Sequence, residues 1–201
     1  MMDAIISQGA NALVIVAHPD DETIWCGGLI LANPQAKWTI LCLSRASDTD
    51  RAPKFARVAA RLGARGIIAD WDDEGRLGMV SAVRAAKRII LDQLKSEHFD
   101  FLFTHAANGE YGHERHKAAH QAVGELLASR RLSAGASFCF NYKKQSKYKL
   151  VAASGSDLLF KLSPKLFKEK RSIVSELYGF DPQGIDIGYC TNPEAFRLFK
   201  M

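Results

Sequence analysis

Residues 12–22 have the sequence ALVIVAHPDDE, an apolar run followed at once by a histidine, a proline and three carboxylates. A continuous apolar run of this length is typical of a strand buried inside a sheet. The carboxyl ends of such strands open onto the crevice where α/β sheets usually bind ligands. We therefore expect His18, Asp20 and Asp21 to meet at one strand end, in a turn that Pro19 stiffens.

Apolar runs alternate with helical patterns along the first two thirds of the chain. Alternation of strand and helix implies right-handed crossovers and a parallel sheet covered on both faces. The sequence therefore predicts an α/β fold, a Rossmann-like three-layer sandwich with a mostly parallel central sheet. Strands are predicted at 12–17, 38–43, 66–69 and 99–104, and helices near 22–32, 53–62, 78–97 and 114–130.

The last third of the chain is less regular, and no repeat or linker divides it from the rest. Strands are predicted at 136–142 and 148–153, joined as a hairpin through 143–147, before a helix at 164–178. A chain of 201 residues with 47% hydrophobic composition suffices for one sizeable core and is short for two. We therefore expect a single domain over residues 1–201.

The chain is basic, with 27 Lys and Arg against 22 Asp and Glu, a net charge of +5 and a pI near 9.0. This balance favours an anionic substrate or surface, although a solvated basic face would give the same count. No DNA-reading motif accompanies the charge, so nucleic acid is not expected as a partner. Much of the excess lies late in the chain, at Lys143, Lys144, Lys147, Lys149, Lys161, Lys165, Lys168, Lys170 and Arg171.

Cysteine usage and the N-terminal sequence indicate the compartment. The four cysteines form no CxxC pair, and Cys42 and Cys139 lie in apolar strand-like runs where a reduced, buried thiol is usual. Residues 1–8 lack the features of a signal peptide, and no run reaches the ~18 apolar residues of a membrane span. We expect a cytoplasmic protein without a transmembrane segment, and the oligomeric state stays open, a homo-oligomer included.

A second chemically rich segment follows the fourth strand, residues 104–116, THAANGEYGHERH. Its glycines permit tight backbone turns before a helix that carries His113 and His116. His116 can join His18 and Asp21 as the third ligand of a metal ion, leaving a fourth position for water. This donor set suits Zn²⁺, and Fe²⁺ or Co²⁺ would also be accepted.

The candidate ligands suggest roles for their neighbours. A bound metal lowers the pKa of its water toward roughly 7, and Asp20 would take the proton as general base. A protonated His113 and the hydroxyl of Tyr111 could stabilise the oxyanion formed by attack on an amide carbonyl. Asp20 or His113 would then return a proton to the leaving amine.

The remaining histidines leave an alternative open. His116 and His120 lie four apart on one helix face and could bind a metal with His113, but lysine follows His116 where a zincin has glutamate. That arrangement would leave the first motif without a role, and His120 is otherwise a helix-surface residue. His98 and His105 are interpreted as surface histidines, with a supporting role behind the metal as the alternative for His105.

The paired motifs resemble those of one enzyme family. AHPDDE at 17–22, with HERH at 113–116, is similar to the LmbE-like, or PIG-L, family of zinc-dependent N-deacetylases, and the resemblance extends to about residue 130. It implies a Rossmann-like fold and removal of acetyl from N-acetylglucosamine linked to inositol, phosphatidylinositol, malate or antibiotic scaffolds. It also implies metal ligands at His18, Asp21 and His116, a general base at Asp20 and a charge-stabilising histidine at His113.

The sequence departs from the family pattern in two places. The family often writes its second motif as His-Pro-Asp-His, and a Glu-Arg pair replaces the middle residues here. The family's substrate-side arginine aligns best with Arg51, but Lys54 stands where a glutamate would follow. Arg45 and Asp48, in the same loop, are further candidates for contact with the sugar.

Together these observations predict a metal-dependent hydrolase that removes the N-acetyl group from an N-acetylglucosamine-type sugar. The sugar would belong to a conjugate or biosynthetic intermediate that is nucleotide-, lipid- or small-molecule-linked, and the basic balance favours one that bears phosphate. Two alternatives stay open: an amidase acting on a different acyl group of an amino-sugar conjugate, and a Rossmann-like binding protein without activity. Against the second, uncompensated carboxylates at a strand end are costly without a cation.

Overall fold

The computed structural model describes residues 6–95 and 97–200. Within them, the strands are β1 (Asn11–Val16), β2 (Lys37–Cys42), β3 (Arg65–Ile68), β4 (His98–Thr104), β5 (Ser133–Phe140), β6 (Tyr142–Ser146), β7 (Lys149–Ala152), β8 (Leu158–Phe160) and β9 (Glu194–Leu198). The helices are α1 (Asp21–Ala32), α2 (Arg51–Arg61), α3 (Met79–Leu94), α4 (Gly109–Gly112), α5 (Glu114–Ala128), α6 (Pro164–Ser172) and α7 (Ile185–Tyr189). A π-helical turn, Ile173–Leu177, continues α6.

Seven strands form the central sheet, in the order β3-β2-β1-β4-β5-β9-β8. β1 pairs in parallel with β2 and β4, β2 with β3, and β4 with β5, whereas β9 is antiparallel to β5 and β8. The predicted α/β fold with a mostly parallel sheet is therefore confirmed. The strand order reverses between β1 and β4, which is the position where open α/β sheets bind ligands.

β1 is apolar throughout because both of its faces are covered. Val14 and Val16 pack in a cluster with α1, α2 and C-terminal residues, whereas Leu13 and Ile15 pack on the other side of the sheet with α3 and α5. All four side chains are fully buried. Burial of each such side chain stabilises the fold by about 1.5–3 kcal/mol, so the strand that leads into the His-Pro-Asp-Asp turn is firmly held.

The predicted hairpin has the wrong pairing. The run 136–142, expected as one arm, lies mostly in β5, which pairs in parallel with β4 in the central sheet. The hairpin is instead formed by β6 and β7, which are antiparallel between Tyr142 and Ala152. Asn141 separates β5 from β6 and donates its N–H to Ala195 O at 2.8 Å. Phe140 and Tyr142 flank Asn141 on either side, so the sequence pattern did not reveal the break.

The C-terminal strands β8 and β9 were not predicted, and a buried ion pair explains how β9 enters the core. Glu194 and Lys170 are both fully buried, with Lys170 Nζ 2.7 Å from Glu194 Oε1. The Glu194 carboxylate also accepts the N–H groups of Gly28 and Leu29 in α1, at 2.8 and 2.7 Å. A Cβ at Gly28 would lie 1.9 Å from Leu162, which accounts for glycine at this position.

Two further expectations concern the cysteines and the membrane. All four cysteines are buried and free, so the expected burial of Cys42 and Cys139 is confirmed. Among residues 6–95 and 97–200, no helix has both the length and the apolar character needed to cross a membrane.

Candidate metal centre and active site

Three potential metal ligands converge beyond the carboxyl end of β1. His18 and Asp21 lie in the turn that leads into α1, and His116 lies on α5. His18 Nδ1 is 3.2 Å from Asp21 Oδ2. His116 Nε2 is 3.3 Å from His18 Nδ1 and 3.4 Å from Asp21 Oδ2. A tetrahedral zinc ion with ligands at about 2.0–2.1 Å needs donor atoms roughly 3.3–3.4 Å apart. The three atoms therefore fit one such ion.

The charges around these atoms are also suited to a cation. His116 lies between the buried carboxylates of Asp21 and Glu110. Burial by itself would lower the pKa of His116, but the two carboxylates raise it to about 10. Burial raises the pKa of Asp21, yet His116 and His105 together bring it well below its usual range. The proton on His116 thus supplies positive charge that the buried carboxylates need, and a divalent cation would supply it in place of that proton.

Glu110 orients His116, although no sequence pattern indicates this role. Glu110 Oε2 accepts hydrogen bonds from His116 Nδ1 at 2.6 Å and from His105 Nδ1 at 2.9 Å, while Oε1 accepts the N–H of Ala106 at 2.8 Å. A metal-binding histidine commonly donates its other N–H to a carboxylate of this kind. Glu110 therefore leaves Nε2 of His116 as the atom available to a metal.

His105 is fully buried, so its interpretation as a surface histidine is wrong. Its Nε2 accepts the N–H of Ala17 at 2.9 Å, which places the ring proton on Nδ1, facing Glu110. The ring stacks on His116 with centroids 3.9 Å apart. His105 Nε2 lies 3.5 Å from Asp21 Oδ2, but because it already accepts a backbone N–H it is not available as a ligand.

The backbone of the site is strained at two carboxylate residues. Asp20 and Glu110 have φ values of 134° and 54°, conformations that are uncommon outside glycine and that concentrate at functional sites. The N–H of Asp20 donates to Glu22 Oε2 at 3.1 Å, and Glu22 Oε1 accepts the hydroxyl of Tyr178 at 2.8 Å. Glu22 is fully buried and ties the Asp20 turn to the C-terminal segment.

Asp20 lines the cavity next to the candidate ligands. Burial, followed by the charge of Asp21, raises the pKa of Asp20 well above its usual range, and Arg51 partly offsets this rise. A carboxylate with a raised pKa can exchange protons near neutral pH. The environment of Asp20 is therefore suited to proton transfer.

The surroundings of His113 favour its neutral form in this structure, and a protonated His113 during the reaction stays a prediction. Its Nδ1 accepts the N–H of Arg115 at 3.3 Å, which an imidazolium could not do. Burial, then the charges of His116 and His18, lower the pKa of His113 to about 4. The neutral ring carries its proton on Nε2 and can still donate a hydrogen bond.

Tyr111 lies beside His113 in the same cavity, with ring centroids 5.7 Å apart. Burial, followed by the charges of Asp21 and Asp20, raises the pKa of the Tyr111 hydroxyl. The hydroxyl therefore keeps its proton and is available as a hydrogen-bond donor.

The two substrate-side arginine candidates both line this cavity, whose volume is about 350 Å³. The guanidinium of Arg51 lies 4.6 Å above the ring of Phe180, and its Nη1 is buried without a hydrogen-bond partner among the residues described. Arg45, in contrast, is paired with Asp73 and Asp48. Arg51 thus has donor capacity left for a ligand, whereas the charge of Arg45 is already neutralised.

The structure does not bring His120 to the candidate ligands. His120 Nδ1 donates to the carbonyl of His105 at 2.9 Å, and its ring stacks on Phe199 with centroids 4.7 Å apart. It is half-buried, not a residue of the helix surface. His98 is exposed, as predicted, and its Nδ1 lies 3.0 Å from Ser133 Oγ.

A competing set of ligands does exist on geometry alone. The donor atoms of His18, His113 and His116 lie within 4.8 Å of one another. In this set His113 would take the place of Asp21. Asp21 is the better ligand on charge, because a carboxylate buried between histidines needs a cation more than a neutral imidazole does.

Part of the cavity wall comes from residues that carried no signal in the sequence. Phe180, Asp186 and Tyr189 follow the π-helical turn and line the cavity. They belong to no motif and to no periodic pattern. Tertiary packing places them there, since α7 contacts β7, the π-helical turn and α1.

Fold and site together define a Rossmann-like α/β protein with a His-Asp-His cluster suited to a divalent cation at the switch point of its sheet. The chain belongs to the family described as PIG-L: GlcNAc-PI de-N-acetylase, whose model matches residues 13–127. The matched segment contains His18, Asp20, Asp21, His113 and His116 and ends before the C-terminal wall of the cavity.

The chain is similar in sequence to one relative and in structure to three solved proteins, two of which are deacetylases. Uncharacterized protein L374 of Acanthamoeba polyphaga mimivirus is 27% identical over 133 residues, and the chain spans 58% of the length of that relative. The 4-carboxy-2-hydroxymuconate hydratase GalB of Pseudomonas putida KT2440 has a TM-score of 0.65 at 14% identity, covering 94% of this chain and 95% of that one.

Two deacetylase structures are also similar. The A40926 pseudoaglycone deacetylase Dbv21 has a TM-score of 0.63 at 16% identity, covering 90% of this chain and 89% of that one. The N,N'-diacetylchitobiose deacetylase of Pyrococcus horikoshii has a TM-score of 0.56 at 15% identity, and the match covers 94% of this chain and 84% of that one. At these identities the structural similarity shows the fold alone.

Proposed function

We propose that the protein is a zinc-dependent hydrolase that removes the N-acetyl group from an N-acetylglucosamine-type sugar, within a single domain that spans the chain. The observation that carries the proposal is the triangle of donor atoms from His18, Asp21 and His116, 3.2–3.4 Å apart, with Asp20 beside it. The family description and the two deacetylases among the similar structures support an acetylated amine as substrate.

The chain's own residues provide proton transfer and oxyanion contacts. A divalent ion held by the three ligands would polarise the amide carbonyl and make water reactive at neutral pH. Asp20 accepts a proton from the attacking water and later gives it to the leaving nitrogen, so that water and amide become acetate and amine. Neutral His113, through its Nε2–H, and the Tyr111 hydroxyl donate to the oxygen that becomes negative.

The size of the cavity limits what part of the substrate enters it. Its volume of about 350 Å³ lies at the small end of the range for ligand pockets, roughly 300–1,000 Å³. We infer that the acetamido-bearing ring enters the cavity. A linked nucleotide, lipid or other group would then extend into solvent.

Two alternatives use the same catalytic groups. An amidase acting on a different acyl group would need the same ligands and the same base, because these residues contact only the amide and the water. A hydratase, such as one of the similar structures, also adds water to its substrate but cleaves no amide. Identification of the released product therefore decides among these reactions.

The test is a measurement of acetate released by the zinc-loaded protein from free N-acetylglucosamine and from its nucleotide-, lipid- and inositol-linked forms. We expect release from at least one of them, and we expect Asp20→Asn to retain zinc while losing most of the rate. Asp92→Asn, at an exposed carboxylate of α3, is the matched control and should behave as wild type. Zinc-loaded protein that releases a different acyl group, or no product at all, would contradict the proposal.

A further inference from the structure

One wall of the active-site cavity lies outside the family match, which ends at residue 127. Phe180, Asp186 and Tyr189 form this wall, the last two on α7. Since the groups proposed for the chemistry all lie within the matched segment, this wall is available to decide which substrate enters.

Tyr189 is part of an aromatic cluster at the cavity wall, in which Tyr111 is half-buried and Trp25 and Tyr189 are 1% and 5% exposed. Its ring centroid lies 5.0 Å from that of Tyr111 and 6.2 Å from that of Trp25, and all three residues line the cavity. Such faces pack against the apolar C–H face of a ring while leaving its polar edge free for hydrogen bonds. The cluster therefore fits a ring that has one apolar face and polar substituents around its edge.

The wall is held in place by contact with the β6–β7 hairpin. A Cβ at Gly188 would lie 2.0 Å from the carbonyl oxygen of Tyr148, so the two backbones are in direct contact. The Tyr189 hydroxyl lies 3.5 Å from Lys147 O. Because the wall is positioned before a ligand arrives, little conformational entropy is lost when one binds.

The cavity has no surplus of positive charge, although the chain as a whole is basic. Arg45 is already paired with Asp73 and Asp48, which leaves Arg51 as the one lining guanidinium with spare capacity. With a divalent ion bound, the formal charges of the lining carboxylates and guanidinium groups cancel. The carboxylates counted are those of Asp20, Asp21, Asp73 and Asp186, and the guanidinium groups are those of Arg45 and Arg51.

The lysines that make the chain basic lie elsewhere. Lys143, Lys144, Lys147 and Lys149 are exposed on the hairpin and do not line the cavity. A phosphate on the ring that enters would therefore find Arg51 but would also face the carboxylate of Asp186. An ionised carboxylate only accepts hydrogen bonds, so it favours hydroxyl groups and repels an anion.

We propose that Asp186 and Tyr189 form a specificity subsite that selects an uncharged, hydroxyl-bearing ring next to the scissile amide and rejects a ring that carries phosphate. Hydroxyl groups donate to Asp186, and the apolar face of the ring packs on Tyr189. The inference rests on the proposed function, and it revises the expectation of a phosphate-bearing substrate by placing any phosphate beyond the ring.

Calorimetric titration of the zinc-loaded protein with N-acetylglucosamine and with its 6-phosphate tests the subsite. We expect wild type to bind the neutral sugar at least about tenfold more tightly, since a like charge in a confined site is strongly disfavoured. Asp186→Asn removes the charge at constant size and should reduce this ratio at least about fivefold, through tighter binding of the phosphate. Asp92→Asn is the control and should keep the wild-type ratio.

Tyr189→Leu keeps an apolar side chain at the wall but removes the aromatic face. We expect it to weaken binding of the neutral sugar while leaving the affinity for acetate alone unchanged. A circular dichroism spectrum identical to that of wild type shows that the variant is folded, and if it is not, Asp186→Asn alone decides.

The outcomes separate the inference from the proposed function. A wild-type protein that releases acetate from a substrate but shows no preference for the neutral sugar overturns the inference alone, as does an unchanged ratio in folded Asp186→Asn. A preference that disappears in Asp186→Asn, without acetate release from any conjugate, supports the subsite and contradicts the proposed function. Wild type that binds neither sugar also overturns the inference.

Discussion

Replacement of Glu110 by glutamine changes the hydrogen bonding behind His116 without changing the size of the side chain. The carboxylate accepts two imidazole N–H groups on Oε2 and the N–H of Ala106 on Oε1, at 2.6, 2.9 and 2.8 Å. Glutamine has one carbonyl oxygen, so its NH₂ group must face at least one of these donors in either orientation. One or two buried N–H groups are therefore left without an acceptor.

The size of the effect follows from these lost hydrogen bonds. A buried donor left unsatisfied costs about 1–3 kcal/mol, and about 1.4 kcal/mol corresponds to a factor of ten. Loss of a carboxylate that supports a metal-binding histidine typically weakens metal binding about 10–100-fold. The range for a supporting carboxylate applies to metal binding directly, so we expect the Kd for zinc to rise about 10–100-fold in Glu110→Gln.

The assay is a competition titration of zinc against a chromophoric chelator, with circular dichroism to verify folding. Glu114→Gln is a matched control four residues later, because the Glu114 side chain is 68% exposed and pairs only with Lys117 among the described residues. We expect Glu114→Gln to bind zinc as wild type does. Unchanged zinc affinity in folded Glu110→Gln, or an equal loss in both variants, would refute the role assigned to Glu110.

Three further predictions follow from the site. His116→Ala should lose zinc, whereas His113→Ala should keep it and lose rate; equal retention of zinc in both would mean that the ligands are misassigned. Tyr178→Phe removes the hydroxyl that Glu22 accepts and should lower the free energy of unfolding by about 1–3 kcal/mol, measured by urea denaturation; an unchanged midpoint would contradict this. With its pKa lowered from 6.5 to about 4, His113 should stay neutral in NMR titrations down to about pH 5. In the unfolded chain the same imidazole binds a proton at a higher pH than in the folded protein. The free energy of unfolding should therefore fall as pH drops from about 6.5 toward about 4. A His113 midpoint near 6.5 would contradict the neutral assignment.

The first motif and the first four strands could be predicted because local patterns specify them. A short apolar run bounded by turn residues is typical of a strand that is buried on both faces, and the position of His18 and Asp21 after it follows from the end of that strand. His116 could be placed because strands β1 and β4 are parallel and the segment after β4 runs into a helix. These inferences need only periodicity and the order of elements.

The supporting residues could not be predicted, because their roles depend on contacts between distant segments. Glu110 has a positive φ that its residue type does not indicate, and His105 is buried through contacts with Ala17, Glu110 and His116. β9 begins with a glutamate, which argues against a central position until Lys170 is known to pair with it. Asp186 and Tyr189 likewise reach the cavity only through tertiary packing.

Anomalous scattering at the zinc absorption edge, recorded from crystals of the zinc-loaded protein, is the most direct test of the central claim that one ion is bound at the end of β1. We predict a single peak at this end of the sheet, about 2.0–2.2 Å from His18 Nδ1, Asp21 Oδ2 and His116 Nε2. A peak coordinated by His18, His113 and His116, with Asp21 outside the coordination sphere, or no peak at this site, would contradict the account.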